Sequence, residues 1–73
     1  MNVEQLKKEL DNLKIPKMSY SILEGGTPSE TLCLVLEDKW RIYYSERGER
    51  TLELEYLTEE EACETFLRML RKA

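Results

Sequence analysis

The sequence predicts a single two-layer α+β sandwich over residues 1–73, with a helix, an antiparallel β-meander of three or four strands and a closing helix. Three observations predict it. Apolar residues recur at helical spacing near both ends, and three runs between them alternate with period two. Each of these elements also has only one apolar face, so both helices can bury theirs on the same face of the sheet. A chain of this length removes only about 60% of its unfolded surface from water, which leaves room for one core.

The first helix is expected over residues 3–14. Asn2 can cap it, and Gln5 stands where the reciprocal member of a capping box belongs. Val3, Leu6, Leu10 and Leu13 make one narrow apolar stripe, with Glu4, Lys7, Lys8 and Asp11 around it. Pro16 stops the helix, because the residue before a proline is pushed out of the α region. Tyr20, Ile22 and Leu23 then form a short apolar patch that is either a fourth strand or a loop anchor. Gly25-Gly26-Thr27-Pro28 reads as a turn.

The meander follows. From Thr31 to Glu37, Leu32, Leu34 and Leu36 point one way and Cys33 and Val35 the other. Across the Glu37-Asp38-Lys39 connection, Trp40, Ile42 and Tyr44 share a face opposite Arg41, Tyr43 and Ser45. A turn at Glu46-Arg47-Gly48-Glu49 uses Gly48 for positive φ. The third run places Leu52, Leu54 and Tyr56 on one side and Thr51, Glu53 and Glu55 on the other. In the last helix Thr58 is the N-cap, Glu61 completes a capping box, and Leu57 and Ala62 are placed for a hydrophobic staple. Ala62, Cys63, Phe66, Leu67, Met69 and Leu70 gather on one side. Acidic residues lead this helix and basic ones trail, as its dipole prefers.

Composition narrows the function. A net charge of −4, from 11 basic and 15 acidic residues, gives no basic patch for nucleic acid or an anionic membrane. No run approaches the roughly 20 apolar residues of a membrane helix. The mixed charges of residues 1–13 are unlike a signal peptide, so the cytoplasm is the expected compartment. Histidine is absent, which removes the commonest general base and metal ligand. Cys33 and Cys63 cannot build an ordinary zinc site by themselves and are expected to be free and buried. No serine has a histidine partner, and Gly25-Gly26 lacks the Lys-Ser/Thr of a phosphate loop. No catalytic residue, metal site or cofactor site is assigned. The order of elements is also that of a double-stranded-RNA-binding domain, but Thr58-Glu59-Glu60-Glu61 puts carboxylates where that module needs lysines.

Protein binding remains. The sheet face away from the helices should carry Cys33, Val35, Arg41, Tyr43, Ser45, Thr51, Glu53 and Glu55. An antiparallel sheet tolerates a wet face, so a plain solvated surface is one reading. Tyr43 between Arg41 and the glutamates is equally the make-up of an interface, an aromatic anchor in a polar rim. The alternative is a small homodimeric accessory or regulatory domain that self-associates through this face or a sheet edge; the chain is expected to be a monomer or weak homodimer.

Three segments carry a resemblance. They are Gly25-Gly26-Thr27-Pro28 with Cys33-Leu34, the run Trp40-Arg41-Ile42-Tyr43-Tyr44-Ser45-Glu46-Arg47-Gly48, and Glu60-Glu61-Ala62-Cys63. In this order, from Leu6 to Leu70, they resemble a family of small bacterial proteins regarded as immunity proteins of polymorphic toxin systems. The resemblance implies a protein that neutralises a cognate toxin, often a nuclease, by direct binding. Its matched residues are mostly structural, so partner specificity should rest largely on residues it does not cover. The acid excess suits a basic partner. The expected partner-binding residues are Arg41, Tyr43, Glu53, Glu55, Glu59, Glu60 and Glu64, with Arg47 and Arg50 at the hairpin tip ranking behind them.

Overall fold

A computed structural model describes residues 1–26 and 28–72; within the turn expected at Gly25-Gly26-Thr27-Pro28, Thr27 lies outside the described residues. Helix α1 covers Val3–Asn12 and opens with both bonds of the capping box. The Gln5 amide donates to Asn2 Oδ1, and the Asn2 amide to Gln5 Oε1, each at 2.9 Å. The helix closes two residues earlier than its apolar stripe suggests. Lys14 takes φ 57°, and the Ile15 and Lys14 amides donate back to the Leu10 and Asp11 carbonyls. That is a Schellman ending with lysine in the position glycine usually holds. Pro16 then precedes a short 3₁₀ turn, Lys17–Ser19.

Four strands follow: β1 (Tyr20–Ile22), β2 (Thr31–Leu36), β3 (Trp40–Glu46) and β4 (Glu49–Tyr56), before helix α2 (Glu59–Lys72). They lie in the order β1-β2-β3-β4. The short apolar patch is indeed a strand, but it pairs parallel to β2, Tyr20 with Leu32 and Ile22 with Leu34. The other pairings are antiparallel. A parallel neighbour requires the chain to travel back before β2 begins, and residues 23–30 make that return. Leu23, Gly25, Gly26 and Glu30 all take positive φ along it. The β3–β4 turn holds both Arg47 (φ 51°) and Gly48 (φ 80°) in the left-handed region, as a two-residue hairpin turn of the primed type requires.

Both helices cover one face of the sheet. Val3, Leu6 and Leu10 of α1 and Ala62, Cys63, Phe66 and Leu70 of α2 bury against Ile22, Leu32, Leu34 and Ile42. Trp40, Tyr44, Leu54 and Tyr56 pack at the margin of this core. Thr58 caps α2, its hydroxyl accepting from the Glu61 amide at 3.2 Å and donating to the Glu61 carboxylate at 3.1 Å. The expected staple does not form. Leu57 is 82% exposed while Ala62 is buried, so the chain enters α2 without that contact. Among the described residues no helix is long and apolar enough to cross a membrane.

Two expectations about the other face need correcting. It is not open, because Cys33, Val35, Tyr43 and Ser45 are all buried there. Tyr43 is covered by two contacts: its hydroxyl donates to the Gly26 carbonyl of the return segment at 2.7 Å, and the Arg50 guanidinium stands over its ring. Strict alternation along β4 also fails. Ile42 pairs with Leu54 but Tyr44 pairs with Thr51, so β4 carries one extra residue opposite Tyr43. Leu52 lies at this bulge, with φ 50°. Thr51 therefore sits across from Tyr44, to whose carbonyl its hydroxyl donates at 3.1 Å, and Arg50 takes the place beside Ser45.

Candidate functional site

The structure divides the seven expected contact residues into two groups on opposite sides of the sheet. Arg41, Tyr43, Glu53 and Glu55 come together on the side away from the helices, along with residues that sequence reasoning ranked lower or passed over. The Arg41 guanidinium meets Glu55 Oε2 at 2.6 Å and Asp38 Oδ1 at 2.9 Å, and its Nε lies 3.3 Å from Glu37. Arg50 reaches Glu37 at 3.2 Å and Glu53 at 3.3 Å, and its guanidinium carbon stands 4.2 Å above the Tyr43 ring centroid. Lys39 adds a looser contact to Glu55 at 3.8 Å. Three cations thus meet four carboxylates, and the cluster satisfies most of its own charge.

The electrostatics follow from these contacts. The hydrogen bond from Arg41 holds the Asp38 carboxyl below the usual range, and the same bond raises Arg41. Hydrogen bonding to Glu37 raises Arg50 further above its ordinary value. Carboxylates committed in this way are poorly placed to attract a basic partner over distance.

Tyr43 is corrected outright. It was expected as an exposed anchor, yet its exposure is 0%. Desolvation raises its phenol above the ordinary value, with the Cys33 thiol beside it as the next cause. Its hydroxyl donates to the Gly26 carbonyl. Nothing in the alternation of β3 could show this, since Gly26 is distant from Tyr43 in sequence.

Glu59, Glu60 and Glu64 belong to α2, on the helix side. Glu59 is half-buried and already engaged: its Oε2 accepts the Val3 amide at 2.8 Å, satisfying a first-turn donor of α1. One carboxylate therefore ties the two helix starts together. Glu60 and Glu64 are exposed and make no ion pair among the described residues.

Both thiols are buried. Burial raises Cys33, and burial with Glu59 nearby pushes Cys63 up to about 11. Neither sits in the electropositive, accessible setting that makes a cysteine a nucleophile.

A further feature has no counterpart in the sequence reading. A half-open apolar groove of about 650 Å³ runs between the last turns of α2 and the end of the sheet, lined among others by Met18, Tyr44, Leu52 and Met69. Met18 is 84% exposed and Leu52 59%. Leu52 fits the core-facing phase of β4 and lines this groove beside Leu32 and Leu70, yet at the bulge it stays mostly exposed. No family model, curated protein or solved structure matches this chain.

Proposed function

We propose that this chain is a non-catalytic protein-binding module of the antitoxin-like immunity kind, which neutralises a toxic partner by covering it, and that the groove beside Leu52 receives that partner. The conformation of Leu52 carries the reading. A leucine in the left-handed region costs roughly 1–2 kcal/mol relative to an ordinary conformation. The bulge it belongs to turns Arg50 over Tyr43 but leaves the Leu52 side chain itself mostly exposed. An exposed apolar residue at a strained position on the rim of an apolar groove is what a partner surface can bury. Its neighbours Met18 and Met69 are flexible thioethers that adapt to an incoming surface.

The resemblance to immunity proteins supplies the kind of partner, and the buried, undissociated thiols weigh against catalysis. Of the seven expected residues, Glu60 and Glu64 combine exposure with freedom from ion pairs among the described residues. A basic partner would meet these two.

The test is co-expression with the protein encoded next to it, scored as rescue from toxicity and as direct binding. Leu52→Gly relieves the backbone strain while deleting the side chain. It should leave stability within about 1 kcal/mol of the parent and abolish rescue. Full rescue by Leu52→Gly would remove the groove from the interface, and the absence of both binding and rescue would remove the immunity reading.

A further inference from the structure

We infer that the groove beside Leu52 takes a long aliphatic cation, with a lysine side chain of the basic partner as its occupant. The inference rests on the reading above that this groove is the docking site, and it names the chemistry of what docks there.

The lining has two parts. Met18, Leu52, Met69 and Leu70 belong to its apolar wall, and Tyr44 adds an aromatic ring. Aromatic rings favour cations over anions. Among the described residues that line the groove, Glu30 alone carries a charge. Its side chain is exposed, and no described cation pairs with it. The basic residues beside the groove in sequence line other depressions. Lys17 shares one with Lys7 and Asp11, and Arg68, Arg71 and Lys72 share another. The groove is therefore apolar but for one carboxylate that the chain does not neutralise.

A lysine side chain matches both parts. Its methylenes lie along apolar surface while the ammonium stays at the wet rim, where it can meet a carboxylate. Glu37, Glu53 and Glu55 are committed to Arg41 or Arg50. Glu30 differs from them in being unpaired and in adjoining apolar surface. An occupant seated there would shield the new ion pair from water, and a pair so shielded is stronger. An acidic occupant would meet the same carboxylate as a repulsion.

The test uses the unaltered chain at neutral pH and three probes of equal length, n-hexylammonium, n-hexanol and hexanoate. Each is titrated at low salt while the methyl signals of Met18 and Met69 are followed by NMR. Hexylammonium should bind roughly threefold more tightly than hexanol, the size of an ordinary exposed ion pair, and hexanoate more weakly than either. The advantage over hexanol should fade at high salt. Glu30→Gln should remove it without weakening hexanol, while Glu60→Gln combined with Glu64→Gln should leave it in place. Equal binding of hexylammonium and hexanol, a preference for hexanoate, or an advantage that survives Glu30→Gln would overturn the inference and leave the groove standing as a docking site. Methyl shifts that depend on protein concentration without any probe would give the groove to a second copy of the chain, which also overturns it. If no probe moves either methyl, the groove takes no apolar guest, and the docking reading fails together with the inference. The comparison of probes on the unaltered chain decides the matter even if a variant fails to fold.

Discussion

The two faces of the sheet start from the same strands and end with unlike interiors. Period-two alternation in β2 and β3 sends Leu32, Leu34 and Ile42 to one side and Cys33, Val35 and Tyr43 to the other. On the first side two amphipathic helices supply Leu6, Leu10 and Phe66, all fully buried, and the layer is closed mainly by apolar area, with the Glu59–Val3 bond tying the helix starts. On the second side the Gly26 carbonyl and the Arg50 guanidinium meet Tyr43, polar contacts around a small apolar centre of Cys33, Val35 and Tyr43. Apolar burial stabilises in proportion to area, at about 25 cal/mol per Å², whereas one net hydrogen bond contributes about 1 kcal/mol. Most of the stability should therefore reside on the helix side, and the other side should be adjustable.

Substitutions break this comparison in order of expected size. Phe66→Ala removes a fully buried ring from the helix side and should cost about 3–5 kcal/mol. For so small a domain that is most of its stability, and circular dichroism during urea titration should show a largely unfolded chain. Tyr43→Phe keeps the ring and deletes only the bond to Gly26. Its urea midpoint should fall by the equivalent of about 1 kcal/mol, and a loss as large as that of Phe66→Ala would mean that the side away from the helices is the main core. Arg50→Met removes the cation above Tyr43 but keeps an apolar cover. A loss of about 0.5–1 kcal/mol should shrink when salt is raised, because ion pairs with Glu37 and Glu53 are part of it.

The smallest effect concerns pH. Folding depresses the Asp38 carboxyl through its bond to Arg41. A group whose folded pKa lies below its unfolded value binds fewer protons when folded, so its contribution is present above the unfolded carboxylate range. It is lost as pH falls through the depressed value. Thermal unfolding of the parent should therefore occur at lower temperature in acid than at neutral pH. Asp38→Asn should narrow that difference, and an unchanged pH slope would show that Asp38 contributes nothing to it.

Much of this architecture was legible in the sequence because its signals are local. Asn2 with Gln5 and Thr58 with Glu61 mark helix starts from residues three apart; the first pair forms both bonds of its capping box, and in the second Thr58 caps the Glu61 amide while its hydroxyl, not its backbone amide, meets the Glu61 carboxylate. Alternation along β2 and β3 assigned their faces correctly. The expected contact surface was less legible. Arg41, Glu53 and Glu55 do share a face, yet Asp38, Glu37 and Arg50 occupy their charges. Glu59 is taken by Val3. The staple at Leu57 failed because apolar identity at the right offset does not make two side chains meet.

By itself the sequence determined the element order, the two capped helices, the phase of β2 and β3 and the lack of histidine chemistry, since each depends on neighbouring residues or on composition. Only the tertiary structure decided the parallel pairing of β1, the bulge that turns Arg50 toward Tyr43, and the meeting of Tyr43 with the Gly26 carbonyl. Each of these is a relation between segments distant along the chain. Alternation says which side chains share a face. What covers that face is settled when the rest of the chain arrives.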